Sequence, residues 1–445
     1  MNLPLDFKAR MKNMLHDEYE AFSAAFSNNP EYRGVRITKP SAEDMVISKL
    51  GLYRRVPWCK NGFYVDKSAV SGNHPYHIAG LLYFQEPSAM APVSALPIEP
   101  GDYVLDLCAA PGGKSTQAAE KLAGKGLLVA NEIIPSRAEI LAENLERCGV
   151  QNAVVTNESP DRLSGKFPEF FDKIIVDAPC SGEGMFRKEP QAVTEWSIAH
   201  TLSCALRQRH ILDCAVKMLR PGGYLIYSTC TFAPEENEQN AEYILSEYPD
   251  MSLVPINLSG LSDGRREWTK NNTDMTYTKR IFPHTSDGEG HFMALFKKDG
   301  TPPSRETPVT SAPPGEFSEF AKNVLKTELR GKFFSFGEHL YLLRADIDLS
   351  RIKTIRAGQY LGVCKKKRFE PSHALCLALS ADDFAKTITL ASDSDELSRY
   401  LRGETLPCSG KGWICVLADG FPIGWGKASE GILKNRFPKK YRLKQ

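Results

Sequence analysis

The sequence predicts an α/β protein built around a doubly wound, mostly parallel sheet. Between residues 100 and 300, short apolar runs alternate with stretches whose apolar residues recur at helical spacing. This alternation is typical of parallel strands joined by crossover helices. Ligands of such sheets bind at the carboxyl ends of the strands, so the loops that follow the strands are the places to search for functional residues.

Six strands and three long helices are predicted in this part of the chain. The apolar runs that indicate strands are residues 103–108, 127–131, 153–156, 173–176, 224–228 and 292–296. The stretches that indicate helices are residues 114–123, 136–148 and 202–219.

The regions on either side are expected to form separate units, because a chain of 445 residues is long enough for two or three domains. Residues 1–90 form the first unit, and Met11, Leu15, Tyr19, Phe22 and Phe26 predict one amphipathic helix there. The sheet occupies residues 91–298. Residues 299–316 contain five prolines and are predicted to be a linker, and residues 317–445 form a C-terminal region with short strands.

Composition excludes several classes of protein. Hydrophobic residues make up 42% and charged residues 25% of the chain, which is typical of a globular protein and not of a disordered one. No apolar run approaches the roughly 18 residues that span a membrane, and the first residues do not resemble an export signal. We therefore expect a cytoplasmic protein that does not bind membranes.

The small net charge of +2 conceals an uneven distribution. Residues 317–445 contain 23 Lys and Arg but only 14 Asp and Glu. Within them, residues 365–368 are all basic, and residues 434–444 combine six basic residues with Phe437 and Tyr441. Cations interleaved with aromatic rings are typical of RNA-binding surfaces, so the C-terminal region is expected to contact a nucleic acid. The eleven cysteines include no C-x-x-C pair, so neither a zinc site nor a disulfide framework is expected.

The first candidate site is the loop between the first predicted strand and its helix, residues 106–116, with the sequence DLCAAPGGKST. Cys108 stands where a P-loop has its first glycine, and the G-x-G-x-x-G pattern of dinucleotide sites is missing, which argues against an ATPase. Glu132 ends the second strand, where a carboxylate can accept hydrogen bonds from both hydroxyls of a ribose. A nucleoside ligand without phosphates fits this combination, and S-adenosylmethionine is such a ligand.

The second candidate site consists of two cysteines at strand ends. Cys180 lies in the sequence DAPCSG after the fourth strand, and Cys230 lies in STCT after the fifth. A thiolate that adds to carbon 6 of a pyrimidine makes carbon 5 nucleophilic enough to accept a methyl group. A carboxyl such as Asp177 can bind the N3/N4 edge of cytosine and stabilise the activated ring.

At these residues the chain resembles the Nol/Nop/Sun family of RNA cytosine-5 methyltransferases. The resemblance implies a Rossmann-like class I methyltransferase domain over residues 91–298, with Cys230 as the nucleophile and Cys180 assisting product release. Arg280, before the last strand, also matches the family. The target base has to leave its stack to reach the thiol.

The resemblance also implies the cofactor contacts. S-adenosylmethionine is expected to lie against Asp106, Cys108, Ala109, Ala110, Pro111, Gly112, Gly113, Lys114, Glu132, Arg137 and Asp177, with either Asn157 or Glu158 on the adenine side. The family often has an aspartate at that last position, which here reads Asn157-Glu158, so both candidates stay open. No metal is expected.

Segments outside the core look like the bacterial RsmF branch of the family, which methylates 16S ribosomal RNA. They are residues 85–88, 184–188 and 420–425. The resemblance implies an RNA-binding N-terminal module, a PUA-like C-terminal region and a substrate within the small ribosomal subunit. The oligomeric state stays open. Two alternatives to this function are a transfer-RNA cytosine-5 methyltransferase and a non-catalytic RNA-binding assembly factor.

Overall fold

The structure is a computed structural model that describes residues 3–28, 32–305 and 310–444. The N-terminal part contains a three-stranded antiparallel sheet in the order β2-β1-β3, with helices around it. Its strands are β1 Tyr32–Ile37, β2 Gly62–Asp66 and β3 Leu82–Phe84, and its helices are α1 Leu5–Leu15, α2 Tyr19–Ser27, α3 Glu43–Leu50, α4 Pro75–Ile78 and α5 Ala91–Ala95.

The single N-terminal helix expected from the apolar spacing is wrong, because two helices carry that pattern. His16 has a left-handed backbone (φ 47°), which ends α1, and α2 begins three residues later. The change of direction lets Phe7 of α1 and Phe22 of α2 reach one aromatic cluster. That cluster includes Phe232 of the following domain, so the N-terminal helices pack directly on it.

The second part contains the predicted sheet and its crossover helices. The strands are β4 Tyr103–Asp106, β5 Leu127–Asn131, β6 Ala153–Thr156, β7 Phe171–Asp177, β8 Leu219–Thr229, β9 Met251–Leu253, β10 Ser262–Asp263, β11 Lys279–Ile281 and β12 His291–Lys298. The helices are α6 Gly113–Leu122, α7 Pro135–Arg147, α8 Pro160–Lys166, α9 Pro190–Glu195, α10 Ile198–Met218 and α11 Glu238–Glu247.

The topology of this sheet confirms the predicted fold class. Strands β4 to β8 pair in parallel in the order β8-β7-β4-β5-β6, and β12 joins antiparallel to β8. The strand order reverses at β4, so the loops after β4, β5 and β7 open into one crevice. Two apolar cores, one on each face of the sheet, hold the strands and helices together.

The C-terminal part contains a four-stranded sheet (β13-β14-β16-β17) and a five-stranded sheet (β18-β20-β21-β22-β19). Its strands are β13 Lys332–Phe336, β14 His339–Leu343, β15 Thr354–Ala357, β16 Gln359–Lys365, β17 Arg368–Pro371, β18 Thr387–Leu390, β19 Leu406–Pro407, β20 Gly412–Ala418, β21 Phe421–Ser429 and β22 Ile432–Asn435. Its helices are α12 Gly315–Val324, α13 His373–Leu377 and α14 Asp395–Arg402. The middle of the expected linker, residues 306–309, lies outside the described residues.

Strand β15 leaves the C-terminal part and extends the central sheet. It pairs antiparallel with β6, and Thr354 lies opposite Thr156. The C-terminal part is therefore attached to the central sheet by a strand as well as by the linker. Within the described residues, no helix is long and apolar enough to cross a bilayer.

Candidate functional site

The loop after β4 is held by side chains from neighbouring elements. Gly112 has a φ of +111°, which favours glycine, and it leads directly into α6. The carbonyl of Pro111 accepts hydrogen bonds from the Tyr83 hydroxyl (3.2 Å) and the Asn144 amide (2.8 Å). The Arg137 guanidinium donates to the carbonyl of Ala110 (2.9 Å). The loop is thereby fixed before any ligand binds.

Asp106 lies buried beneath this loop with one oxygen satisfied. Its Oδ2 accepts a hydrogen bond from the Ser115 hydroxyl (2.6 Å), whereas its buried Oδ1 has no partner. Burial raises the pKa of Asp106 to about 7, although Ser115 opposes the shift. A buried carboxylate oxygen without a partner is stabilised when a hydrogen-bond donor or a cation binds it. The ammonium group of S-adenosylmethionine is both. The residues present therefore fit this cofactor.

Glu132 follows β5 and lies almost fully buried beside the same loop. Its Oε1 accepts a hydrogen bond from the backbone N–H of Ile134 (2.9 Å), and its Oε2 lies 3.4 Å from Arg137 Nη1. These contacts hold the carboxylate in a fixed position. Arg137 and the nearby thiol of Cys108 complete this wall of the crevice, and burial raises the pKa of Cys108.

Asn157 and Glu158, after β6, are engaged by residues of the C-terminal part. Lys353 Nζ donates to Asn157 Oδ1 (2.7 Å), and the backbone N–H of Lys353 donates to Glu158 Oε1 (2.7 Å). Arg162 also pairs with Glu158 at 3.1 Å. The Asn157 amide donates to the carbonyl of Glu132 (2.7 Å), so this cluster contacts the residue after β5. Asn157 and Glu158, the two candidates for the adenine-side contact, therefore lie at the edge of the crevice and are held there by hydrogen bonds.

Asp177 ends β7 at the centre of the crevice. Its Oδ2 lies 2.8 Å from Lys114 Nζ, and its Oδ1 accepts a hydrogen bond from the Ser228 hydroxyl (2.8 Å). Burial tends to raise the pKa of Asp177, but Lys114 and His291 overcome that effect and hold it well below its usual range. His291 Nε2 is 3.6 Å away, buried and otherwise without a partner. The Asp177 carboxylate is therefore kept ionised.

The two cysteines at the strand ends lie in contact. Cys180 Sγ and Cys230 Sγ are 3.3 Å apart, and both residues are free cysteines that are partly exposed. The neighbouring Cys230 thiol and burial raise the pKa of Cys180 well above its usual range. A thiolate formed at one of these cysteines can add to an electrophilic ring and later leave it.

Two buried carboxylates hold the loops that carry these thiols. Glu236 accepts hydrogen bonds from the backbone N–H and hydroxyl of Ser181 (3.0 and 2.5 Å), next to Cys180. Glu183 accepts a hydrogen bond from the backbone N–H of Phe232 (2.9 Å), two residues after Cys230. Burial raises the pKa of Glu236 to about 7. Each loop is thus anchored by a buried carboxylate, Glu236 for the first and Glu183 for the second.

Arg280 stabilises the loop that carries Cys230. Its guanidinium forms a fully buried ion pair with Glu238 and donates to the carbonyl of Phe232 (3.1 Å). Arg280 contacts neither thiol, so it is a positioning residue for the segment after Cys230.

Sequence reasoning did not single out Ser228, His291 or Lys353. Ser228 could have been found, because it lies in the STCT segment and precedes Cys230 by two residues. His291 and Lys353 come from distant parts of the chain, and no local pattern marks them. The described residues also include one possible metal-binding group, Asp161 with His210 and Cys214, where the sequence predicted none. It joins α8 to α10, and nothing in the structure shows an ion there.

Known families match this chain in four segments. Residues 93–297 match the family described as 16S rRNA methyltransferase RsmB/F, and residues 3–87 match the N-terminal domain of 16S rRNA methyltransferase RsmF. Residues 319–379 match the first C-terminal domain of RsmF rRNA methyltransferase, and residues 387–443 match its PUA domain.

Individual relatives resemble the chain over nearly its whole length. The chain is 33% identical to ribosomal RNA small subunit methyltransferase F of Enterobacter sp., covering 98% of this chain and 95% of the relative. It is 32% identical to the protein of the same name from Erwinia tasmaniensis, covering 98% and 96%.

Solved structures resemble the central part of the chain. A methyltransferase homolog protein from Pyrococcus horikoshii superposes with a TM-score of 0.58 at 29% identity, covering 66% of this chain and 94% of the other. NSun6 from the same organism, crystallised with SFG, has a TM-score of 0.59 at 22% identity, covering 67% and 99%, and supports the fold alone.

Proposed function

The chain belongs to the RsmF family of 16S rRNA methyltransferases, and from that membership we propose that it methylates carbon 5 of a cytosine in 16S ribosomal RNA. The methyl donor is S-adenosylmethionine, and the reaction proceeds through a covalent bond between Cys230 and carbon 6. The observation that carries the proposal is the pair of thiols, 3.3 Å apart, at the ends of two neighbouring parallel strands.

The chemistry of carbon 5 explains why a thiol pair matters. Carbon 5 of cytosine is a poor nucleophile, so an enzyme that methylates it has to activate the ring first. Methylation of an oxygen, an exocyclic nitrogen or a ribose hydroxyl requires no such step. Two free thiols in contact, on the same edge of the sheet as the ionised Asp177, therefore favour carbon 5 over these other positions as the target.

In the proposed mechanism, the deprotonated Cys230 sulfur forms a bond to carbon 6, and the electron density of the C5–C6 double bond moves into the ring. Asp177, which is ionised in the free enzyme, accepts the proton that the Cys230 thiol gives up and transfers it to N3, where that density arrives. The carboxylate then accepts hydrogen bonds from the N3 and N4 hydrogens and stabilises the activated ring. Carbon 5 would then form a bond to the methyl group as the bond between that group and the sulfonium sulfur of S-adenosylmethionine breaks. Loss of the carbon-5 proton to the deprotonated Cys180 sulfur re-forms the double bond and expels the Cys230 thiolate, which recovers its proton from N3 through Asp177.

The residues proposed to hold the cofactor surround the loop after β4. The unpaired oxygen of Asp106 would accept a hydrogen bond from the ammonium group, and the Glu132 carboxylate would accept hydrogen bonds from the ribose hydroxyls. The adenine would lie near Asn157 and Glu158, with Lys353 fixing both. When bound, S-adenosylmethionine supplies an electrophilic methyl group.

Membership of the RsmF family favours ribosomal over transfer RNA, because the matched PUA and C-terminal segments belong to rRNA methyltransferases. We propose the small ribosomal subunit or its RNA as the partner and the cytoplasm as the place of action. Intact Cys180, Cys230 and Asp177 argue against a purely non-catalytic assembly factor.

The decisive experiment is to trap the enzyme on its product with Cys180→Ala. This variant should complete addition and methyl transfer but fail to release the RNA, leaving an adduct that survives denaturing electrophoresis. The adduct should require S-adenosylmethionine and should vanish in Cys180→Ala/Cys230→Ala. Cys408→Ala, which removes a partly exposed thiol in the C-terminal part, should behave like the wild type.

Two results would contradict the proposal. An adduct formed by Cys230→Ala but not by Cys180→Ala would reverse the roles of the two cysteines. If nucleoside analysis of treated 16S ribosomal RNA showed a methylated base other than 5-methylcytosine, the proposed target atom would be wrong.

A further inference from the structure

One face of the four-stranded sheet β13-β14-β16-β17 carries a continuous group of aromatic side chains. Phe334 lies opposite Tyr341, and Tyr341 lies opposite Tyr360 on the next strand. Their ring centroids are 5.7 and 5.0 Å apart. Phe336 packs edge-on against Phe334 and Tyr341, at 5.6 and 5.8 Å. We call Phe334, Phe336, Tyr341 and Tyr360 the aromatic ladder.

The ladder lies on the face of this sheet that is turned away from the core of the C-terminal part, and Phe334 also packs against an apolar core of the central sheet. Side chains alternate between the two faces of a strand, and Leu340, Leu342 and Leu361 point the other way into an apolar core. Phe336 at the hairpin tip is 55% exposed, and the other three rings are partly exposed. Burial thus does not account for the position of Phe336. A group of partly exposed rings that ends in a mostly exposed one is typical of a binding surface.

The next hairpin places positive charge at the same end of the sheet. His339, beside the tip of the first hairpin, pairs with Val363, two residues before the basic segment 365–368 begins. Lys365 and Arg368 both pair with Glu370, at 2.8 and 3.2 Å. In the described part of the chain, no carboxylate lies within ion-pair distance of Lys366 or Lys367, and both are exposed. Two free cations therefore lie at the same end of the sheet as Phe336.

Aromatic rings beside unpaired cations match the chemistry of single-stranded nucleic acid. Bases stack on the rings irrespective of their identity, and the cations neutralise the phosphates. A protein partner would be expected to bury the patch against apolar side chains and would gain little from Lys366 and Lys367. The hydroxyl of Tyr360, hydrogen-bonded to His339 Nδ1 (2.7 Å), adds a polar group that can contact a base edge.

The position of the ladder separates it from the reaction centre. Strand β15, which leads into β16, lies five strands away from β8 in the central sheet. At about 4.8 Å per step, this amounts to roughly 24 Å. A nucleotide on the ladder therefore cannot be the nucleotide that reaches Cys230.

We propose that the aromatic ladder and the hairpin 365–368 form a second RNA site, which stacks unpaired bases of the substrate away from the target cytosine. This inference rests on the proposed function in one respect, that the substrate is ribosomal RNA. The site anchors the RNA and takes no part in the chemistry.

The first test compares substitutions at Phe336, which is exposed enough to be changed without loss of folding. Phe336→Ala should weaken binding of a 16S ribosomal RNA transcript by about 5- to 150-fold, the range for loss of one base-stacking contact. Phe336→Trp should keep the wild-type affinity, and Phe336→Leu should not, because stacking requires a flat ring. Tyr277→Ala removes a 48% exposed aromatic residue of the central part and serves as the matched control.

The second test concerns the cations and the strandedness of the RNA. In Lys366→Ala/Lys367→Ala, the slope of log affinity against log salt should fall in magnitude by about 1.4, because each phosphate contact on a single strand contributes about 0.7. Phe336→Ala should lower the affinity for an unstructured RNA, whereas the affinity for a duplex of the same sequence should not change. Ultraviolet crosslinking of the unstructured RNA should label the peptide that contains Phe336.

The outcomes separate this inference from the proposed function. If wild-type enzyme forms 5-methylcytosine and Phe336→Ala binds every RNA as tightly as the wild type, the second site is refuted and the function stands. If the wild type methylates no RNA but Phe336→Ala still loses single-strand binding and its crosslink, the second site stands and the function fails. A loss of self-association in sedimentation, with RNA affinity unchanged, would also refute the RNA site and assign the ladder to a second copy of the chain.

Discussion

Replacing Glu132 with alanine tests the cofactor site most directly. The carboxylate is 5% exposed and held by the Ile134 N–H and by Arg137, so it is already oriented toward the crevice. If it accepts the ribose hydroxyls of S-adenosylmethionine, Glu132→Ala removes hydrogen bonds to a charged acceptor. The cost to folding should be small, because both present partners of Glu132 are at the surface and water can replace the lost contacts.

The expected loss of affinity follows from the strength of such contacts. Hydrogen bonds to a charged group contribute about 1.5–3 kcal/mol. Since about 1.4 kcal/mol corresponds to a tenfold change, the Kd for S-adenosylmethionine should rise roughly 10- to 150-fold. Calorimetric titration measures it, and Glu139→Ala, an exposed carboxylate on α7, is the control. A rise of less than about threefold, with the variant folded, would refute the ribose contact, because it corresponds to under 1 kcal/mol.

Three further predictions follow from buried or bridging contacts. The pKa of Asp106 is about 7 without ligand, and a bound ammonium group should lower it. The affinity for S-adenosylmethionine should therefore fall as the pH drops below 7, and binding at pH 7 should release protons. Calorimetry in buffers of different ionisation enthalpy would detect both effects. Lys353→Met should weaken S-adenosylmethionine binding severalfold by freeing Asn157, while the affinity for RNA at fixed salt, measured by fluorescence anisotropy, stays unchanged. Arg280→Met leaves the buried Glu238 carboxylate without its ion-pair partner and should lower the free energy of unfolding by about 3–5 kcal/mol in urea titrations. The double variant Arg280→Met/Glu238→Leu should lose less stability.

Local patterns predicted the central sheet closely. The predicted strands 127–131 and 153–156 coincide with β5 and β6, because short apolar runs bounded by polar residues mark buried parallel strands. Strand β8 is longer than predicted and begins at Leu219, because it includes Pro221, Gly222 and Gly223, residue types that are uncommon inside strands. The loops after β4, β7 and β8 lie together because parallel strands share a carboxyl edge, and this follows from the alternation alone.

Contacts between distant parts of the chain could not be predicted in this way. The backbone turn at His16 that divides the first helix leaves no mark in the apolar spacing. His291 reaches Asp177 only because β12 packs antiparallel on β8, and antiparallel addition at that edge is decided by the folded sheet. Such contacts depend on register, and a single sequence carries little information about register between strands so far apart.

The C-terminal part is therefore more than an RNA-binding appendage. Strand β15 covers the edge of β6, and Lys353 at its start holds Asn157, which in turn contacts the backbone of Glu132. Removing residues 317–445 would expose that edge and release the groups proposed to line the adenine, so the truncated chain would lose RNA binding and cofactor affinity together. The two can be separated only by substitutions that spare β15, such as those at Phe336 and Lys366. By the same contacts, RNA bound to the ladder could change the affinity for S-adenosylmethionine through β15, and the reciprocal change would have the same factor.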